Sequence, residues 1–488
     1  MKKAGLLGLS LLTLLSVSSC KNPDTNPESG KTPTSISGME KEGTKEIQFW
    51  HCIGHDKMAN LQTIIDKFNE DHAKTDGYYV NAQQIAGTYD ALADNVKTRL
   101  NAGYVPSITM GYPDSFAEYI GSNGPSKSKL LNLTTLMGDE ASFKSEFVDQ
   151  YYDEGTHYQY EGTYSVPLYK STEVLYYNKE MFEGSQFYKD HKDEAHGSYG
   201  AKLGNPATWD WDTLTYVAGE IQKEFASVSD FHALGYDSDA NLFITQMAQR
   251  NIPYTTSEGK SYEHFLFYTD KANANLVSLA NEIYALTTSQ ALVTQASYGS
   301  YASNLFLQKK VMFTVGSTGG SAYNDPVGKS DFHDGVVPVP CYQNNKKYIM
   351  QGPSLCFFET RDTAKERAAW DFYENYVANA DLNAALALDN SYDPVKKASY
   401  TSASYQRWTA MGKKSDGSDD ETKPLQYRIP NVTQGMSENY ITSPVFIGSG
   451  TARNQFGNIL KFMKSNGGNA EKAIKDIYAA CVKAVGQN

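Results

Sequence analysis

The sequence predicts an α/β protein of two lobes joined by more than one crossover. From residue 46 to residue 110 strand and helix signals alternate in the order βαβαβ, the pattern of a parallel sheet covered by helices. About 445 residues follow a polar leader segment, too many for one hydrophobic core. Further strand and helix signals recur beyond residue 170, so a single sheet does not accommodate them.

The first residues read as an export signal. Lys2 and Lys3 precede an apolar run of fourteen residues, Ala4 to Val17, whereas a membrane-spanning helix needs about twenty. Residues 1–19 are therefore expected to be a signal peptide. Leu15-Ser16-Val17-Ser18-Ser19-Cys20 resembles a bacterial lipobox, in which Cys20 is lipidated and becomes the mature N-terminus. Residues 20–44 are rich in Pro, Ser, Thr and Gly, cannot bury a core, and are expected to tether the folded part to a membrane surface.

Glu46 to Trp50 alternates polar and apolar side chains, as a half-buried strand does. Met58, Leu61, Ile65 and Phe68 then recur at helical spacing. A strand over 78–85, a helix carrying Leu92, Val96 and Leu100, and a strand over 107–110 complete the alternation. Later strands are expected at 175–177, 310–315 and 335–339, and helices at 211–225, 367–377, 454–464 and 470–485. The polar stretch 413–423 should be an exposed loop. Lobe one is expected over 45–168 plus 316–357, and lobe two over 169–315 plus 358–488.

Composition excludes several functions. The net charge is −12 and no block of Lys or Arg occurs, so nucleic acid is not an expected partner. Cys52, Cys341, Cys356 and Cys481 lack zinc or redox spacing. His51, Cys52 and His55 cluster after the first strand but match no zinc signature, and Leu242 stands where a calcium loop opening at Asp237, Asp239 and Asn241 would need glycine. No phosphate loop, nucleophile elbow or metalloprotease motif holds, so neither metal nor cofactor is expected and binding is favoured over catalysis. Tyrosine outnumbers phenylalanine 35 to 21; its ring and hydroxyl suit a hydrophilic ligand that must be both stacked and hydrogen-bonded.

Polar and aromatic residues gather at the ends of expected strands: Trp50-His51, Thr88-Tyr89-Asp90, Ser171-Thr172-Glu173, Gly316 to Gly320, and Gly352-Pro353-Ser354. In open α/β sheets, ligands bind outside the carboxyl ends of strands.

In this order the segments resemble the solute-binding proteins of ABC importers for carbohydrates, most nearly their glycerol-phosphate-binding branch and more distantly maltose-binding protein. Val166-Pro167-Leu168 followed by Leu175-Tyr176-Tyr177-Asn178-Lys179 resembles the family's hinge segment, and Thr208-Trp209-Asp210 its usual helix start. Phe49-Trp50-His51 resembles the end of its first strand, and Gly87-Thr88-Tyr89-Asp90 the loop that starts its second helix. Val315-Gly316-Ser317, Gly352-Pro353-Ser354-Leu355 and Asn390 to Val395 resemble segments that enter its cleft, and Arg453 falls where the branch carries a phosphate-binding arginine. Tyr236-Asp237-Ser238 stands where the branch has a tryptophan-rich stretch.

The resemblance implies a two-lobed periplasmic-binding-protein fold. It implies a ligand cleft lined by Trp50, His51, Tyr89, Asp90, Ser171, Thr172, Tyr236, Asp237, Ser317, Thr318, Gly352, Tyr392 and Arg453. The implied partners are a small sugar or polyol, two transmembrane permease subunits and an ATPase; the chain itself would be a lipid-anchored monomer on the extracytoplasmic face. A glycerol-phosphate or glycerophosphodiester ligand is the alternative, ahead of an exported glycan-active enzyme or an adhesin.

Overall fold

The computed structural model describes residues 44–486. The expected signal peptide, Cys20 and the tether up to residue 43 lie outside the described residues.

Two five-stranded sheets carry the fold. In the first, Glu46–His51 lies between Tyr79–Gln84 and Ile108–Gly111 and is parallel to both. This is the arrangement expected from the βαβαβ alternation. Ser354–Phe357 and Val166–Pro167 extend the sheet in antiparallel fashion. The helix Ala59–Ala73 covers one face through Leu61, Ile64, Ile65 and Phe68, the stripe its apolar spacing foretells.

In the second sheet, Val311–Ser317 pairs antiparallel with Glu173–Asn178 and parallel with His232–Tyr236. Leu292–Thr294 and Asp334–Pro338 form its two edges. The helix Trp211–Glu224 packs Trp211, Leu214, Val217 and Ile221 inward. Asp210 caps it, accepting from the Thr213 N–H at 2.8 Å and from the Thr213 hydroxyl at 2.5 Å.

The sheets redraw the expected lobe boundaries. Asp334–Pro338 pairs with Glu173–Asn178, so the 316–357 segment is split: the chain returns to the first sheet only after Pro338. The helices over 363–389 also belong beside the first sheet, not to lobe two. Phe372 meets Phe68 edge-on at 5.3 Å, and Lys57 reaches the Asp389 carbonyl at 2.7 Å. Phe372 also lies 6.3 Å from Phe49 of the sheet, so it fills the core beside the buried stripe of Ala59–Ala73. Ser449–Phe456 and Ala470–Val485 pack on the second lobe, where Phe456 meets Tyr254 at 4.8 Å and Tyr478 stacks on Tyr268 at 4.1 Å.

Two smaller departures have local causes. The helix expected over 454–464 is broken at Gly457-Asn458 into Ser449–Phe456 and Ile459–Ser465. The 367–377 helix begins at Thr363 and widens into a π-helical turn over Phe372–Val377. The 413–423 loop is exposed at its tip, but Glu421 is held by Lys179 at 2.9 Å and Lys414 at 2.8 Å.

At the crossover, Lys170 and Ser171 form antiparallel bridges to Asp393 and Gln351 respectively. The Lys170 ammonium is fully buried, paired with Glu154, and donates to the Ser354 hydroxyl at 2.9 Å and the Gly352 carbonyl at 3.1 Å. Thr172 donates to the Ile349 carbonyl at 2.8 Å, and its N–H reaches the Thr318 hydroxyl at 3.2 Å. Gly352 sits at φ +101°, and a Cβ there would lie 2.6 Å from the Tyr169 carbonyl. Only glycine lets the strands come this close.

Candidate functional site

A cavity of about 280 Å³ opens beside this crossover. Its first-lobe wall is the turn after the Ile108–Gly111 strand, Tyr112-Pro113-Asp114-Ser115, together with Asp90 and Glu154. The facing wall carries Ile244, Tyr254, Arg453 and Asn454, and Met350, Gln351 and Ser443 to Val445 form the floor. The first-lobe wall thus stands at the carboxyl end of a parallel strand, where loop side chains and free N–H groups converge.

Each polar group has a structural reason for its place. Asp90 opens the helix Tyr89–Asn101, whose N-cap Thr88 accepts from the Ala91 N–H at 3.3 Å. Asp114 opens the helix Pro113–Ile120 and accepts from the Ser115 N–H at 2.8 Å. Burial raises the Asp114 carboxyl above its ordinary range, and the charge of Arg453 works against that rise. The helix Ser449–Phe456 approaches so closely at Gly450 that a Cβ would lie 3.0 Å from the Asp114 carboxylate. Glu154 is drawn in by Lys170, whose own pKa burial lowers. Arg453 donates to the Asn241 side-chain oxygen.

Of the residues expected to line a ligand cleft, Asp90 and Arg453 are brought together in the wall of this cavity. Tyr89 and Tyr392 stand behind the wall: Tyr89 packs edge-on against Tyr112 at 4.9 Å, its hydroxyl lies 3.4 Å from that of Tyr392, and Tyr392 lies on Tyr169 at 4.3 Å. Ser171, Thr172, Thr318 and Gly352 are crossover residues whose hydrogen bonds are made within the protein. Ser317 is half-buried, and its carbonyl accepts from the Tyr176 hydroxyl at 3.3 Å.

Four expectations are corrected. Trp50 and His51 belong to an inner strand of the first sheet and are buried in its core, because both faces of that strand are covered. The His51 ring accepts from the Ile53 N–H at 3.2 Å, and burial pulls its pKa down to about 4. Tyr236 points into the second lobe and donates to Glu173 at 2.5 Å. Asp237 holds the Ser303 N–H at 3.0 Å, at the start of the Ala302–Leu307 helix. Asp239 takes the Thr294 hydroxyl and the Ala296 N–H, so this acidic run ties loops together.

Sequence reasoning missed Tyr112, Asp114, Glu154 and Tyr254. For Tyr112 to Ser115 a signal existed, since they directly follow an expected strand end. Glu154 and Tyr254 reach the cavity only through tertiary packing.

The architecture agrees with comparisons to known proteins. A family model described as bacterial extracellular solute-binding protein matches residues 63–413. The chain belongs to this family. Cyclic alpha-maltosyl-1,6-maltose binding protein from Arthrobacter globiformis shares the fold at a TM-score of 0.66 and 16% identity, over 91% of this chain and 99% of that one. UgpB from Mycobacterium tuberculosis, solved with glycerophosphocholine, gives 0.63 and 17% over 91% and 99%. An ABC substrate-binding protein from Listeria monocytogenes, solved with cycloalternan, gives 0.63 and 18% over 90% and 99%. Among proteins of curated function, none matches the chain. Among the described residues of this solute-binding protein, no helix is long and apolar enough to cross a membrane.

Proposed function

We propose that this protein is the receptor of an ABC importer that captures a mono- or oligosaccharide in the cavity beside the crossover and delivers it to two permease subunits served by an ATPase. It would be exported under the 1–19 signal, lipidated at Cys20 and held by the tether on the extracytoplasmic face, acting as a monomer without catalysis or cofactor. The observation that carries the carbohydrate reading is the balance of the cavity wall: Asp90, Asp114 and Glu154 against Arg453. Carboxylates accept from sugar hydroxyls, Arg453 donates to ring and hydroxyl oxygens, and Tyr112 and Tyr254 offer rings to the apolar faces. Burying a hydroxyl without a partner is costly, so this polar set governs specificity.

Arg453 in the wall also favours a second reading, a glycerophosphodiester. A bound phosphate would share the cavity with the carboxylates, and each one within about 6 Å would oppose it by about 3 kcal/mol at an effective dielectric of about 20. That balance places the neutral sugar first.

A thermal-shift series with maltotetraose, cycloalternan and glycerophosphocholine separates the two. A ligand at a hundred times its Kd stabilises by about 2.7 kcal/mol. A shift with a saccharide alone supports the first reading, a shift with glycerophosphocholine alone the second, and no shift with these or a wider panel of small solutes rejects both.

A further inference from the structure

Arg453 is the cation that the cavity wall offers, and it does not stand alone. Its guanidinium donates to the Asn241 side-chain oxygen, and the Asn241 amide nitrogen donates to Glu173 Oε1 at 2.6 Å. Glu173 Oε2 receives the Tyr236 hydroxyl at 2.5 Å. Asn241, Glu173 and Tyr236 are all almost fully buried, whereas Arg453 is half-buried at the cavity. Glu173 opens the first strand after the 168–172 crossover, so the chain of contacts runs from the hinge to the ligand wall.

The direction of each bond matters. A primary amide has one accepting and one donating end. Glu173, accepting at both oxygens, fixes the Asn241 nitrogen toward itself and leaves the amide oxygen for the guanidinium. A protonated Glu173 loses one acceptor, and the amide is then free to turn its N–H₂ toward Arg453, where it repels.

We propose that Asn241 and Glu173 are positioning residues that hold the Arg453 guanidinium in the ligand cavity, with Tyr236 orienting Glu173. The identification of the cavity as the ligand site rests on the solute-binding reading above; the geometry of Arg453 does not. Burial pushes the Glu173 carboxyl up to about 7, against the hydrogen bonds of Tyr236 and Asn241 and the charge of Arg453, while Asp237 adds to the rise. Tyr176, fully buried, is a further titratable neighbour that feels the Glu173 charge. Positioning is therefore expected to weaken as pH falls through about 7.

Nitrogen-15 NMR of the arginine side chains in the unliganded full chain tests this directly, with Arg453 assigned by its loss in Arg453→Lys. In the wild type near pH 8, rotation of the Arg453 guanidinium should be slow, and Asn241→Ala should speed it by about tenfold or more, the loss of one charge-assisted hydrogen bond. Lowering the pH through about 7 should move the wild type toward the Asn241→Ala behaviour. Glu173→Gln, which like the protonated acid offers one accepting oxygen in place of two, should show the faster, low-pH behaviour at every pH. Free rotation in the wild type near pH 8, or slow rotation unchanged by both Asn241→Ala and pH, would overturn the proposal. If Asn241→Ala does not fold, the wild-type pH series decides alone. These readouts need no ligand, so they stand or fall independently of the thermal-shift series.

Discussion

The crossover and the cavity are built from the same kinds of side chain and use them in opposite ways. At the crossover Lys170, Ser354, Thr172 and Thr318 spend their hydrogen bonds on one another and on backbone carbonyls. In the cavity wall, Asp90, Asp114 and Arg453 are half-buried or exposed and keep bonding capacity toward open space. Polar residues at strand ends therefore do not by themselves mark ligand contacts. What separates the two regions is whether the partner comes from the chain.

Three changes sharpen that contrast. The largest effect is expected at the crossover: Lys170→Met leaves Glu154 without its buried partner and should cost about 3–5 kcal/mol of unfolding free energy by urea titration. Adding Glu154→Gln should restore most of it. If the single variant is nearly neutral, the crossover is wetter and less committed to internal pairing than its geometry indicates.

Next comes Asp393, whose backbone pairs with Lys170. One of its carboxylate oxygens takes the Thr433 hydroxyl at 2.7 Å, and the other is buried without a partner among the described residues. Burial raises this carboxyl to about 7. Its proton is thus held more tightly in the folded state than in the unfolded one, where the ordinary value is 3.8. Stability from this group is full below about pH 4 and is lost as pH rises toward about 7, by about 4 kcal/mol in all. Asp393→Asn should remove that dependence and be the more stable protein near pH 8. Parallel stability–pH curves for the two proteins would contradict it.

The smallest effect on the fold should come from the cavity. Arg453→Ala is expected to change the melting temperature little while weakening saccharide binding by about 10- to 100-fold, the worth of one or two charge-assisted hydrogen bonds. Isothermal titration of both proteins measures it. A large loss of stability with unchanged affinity would make Arg453 a structural residue like those at the crossover.

The first sheet was legible because strict alternation followed by helical spacing leaves few arrangements for Glu46 to Gly111. The second lobe was less so: His232–Tyr236 and Leu292–Thr294 are short, and pairing across long sequence separations creates them. Asp90 was readable from its place after an expected strand end, and Arg453 only through the family resemblance. Tyr236 was misplaced because a tyrosine beside acidic residues looks the same whether it meets a ligand or, as here, a buried glutamate. Glu154 carries no local mark, since its place follows from Lys170, Ser354 and the fold around them.

The most direct measurement is calorimetric titration of the purified full chain with maltotetraose and cycloalternan beside glycerophosphocholine, repeated on Asp114→Asn and Arg453→Ala. Saturable one-site binding of a saccharide, weakened by both cavity variants while their melting curves stay in place, is the predicted result. Saccharide binding untouched by either variant, or heat with glycerophosphocholine alone, would contradict a carbohydrate held in this cavity.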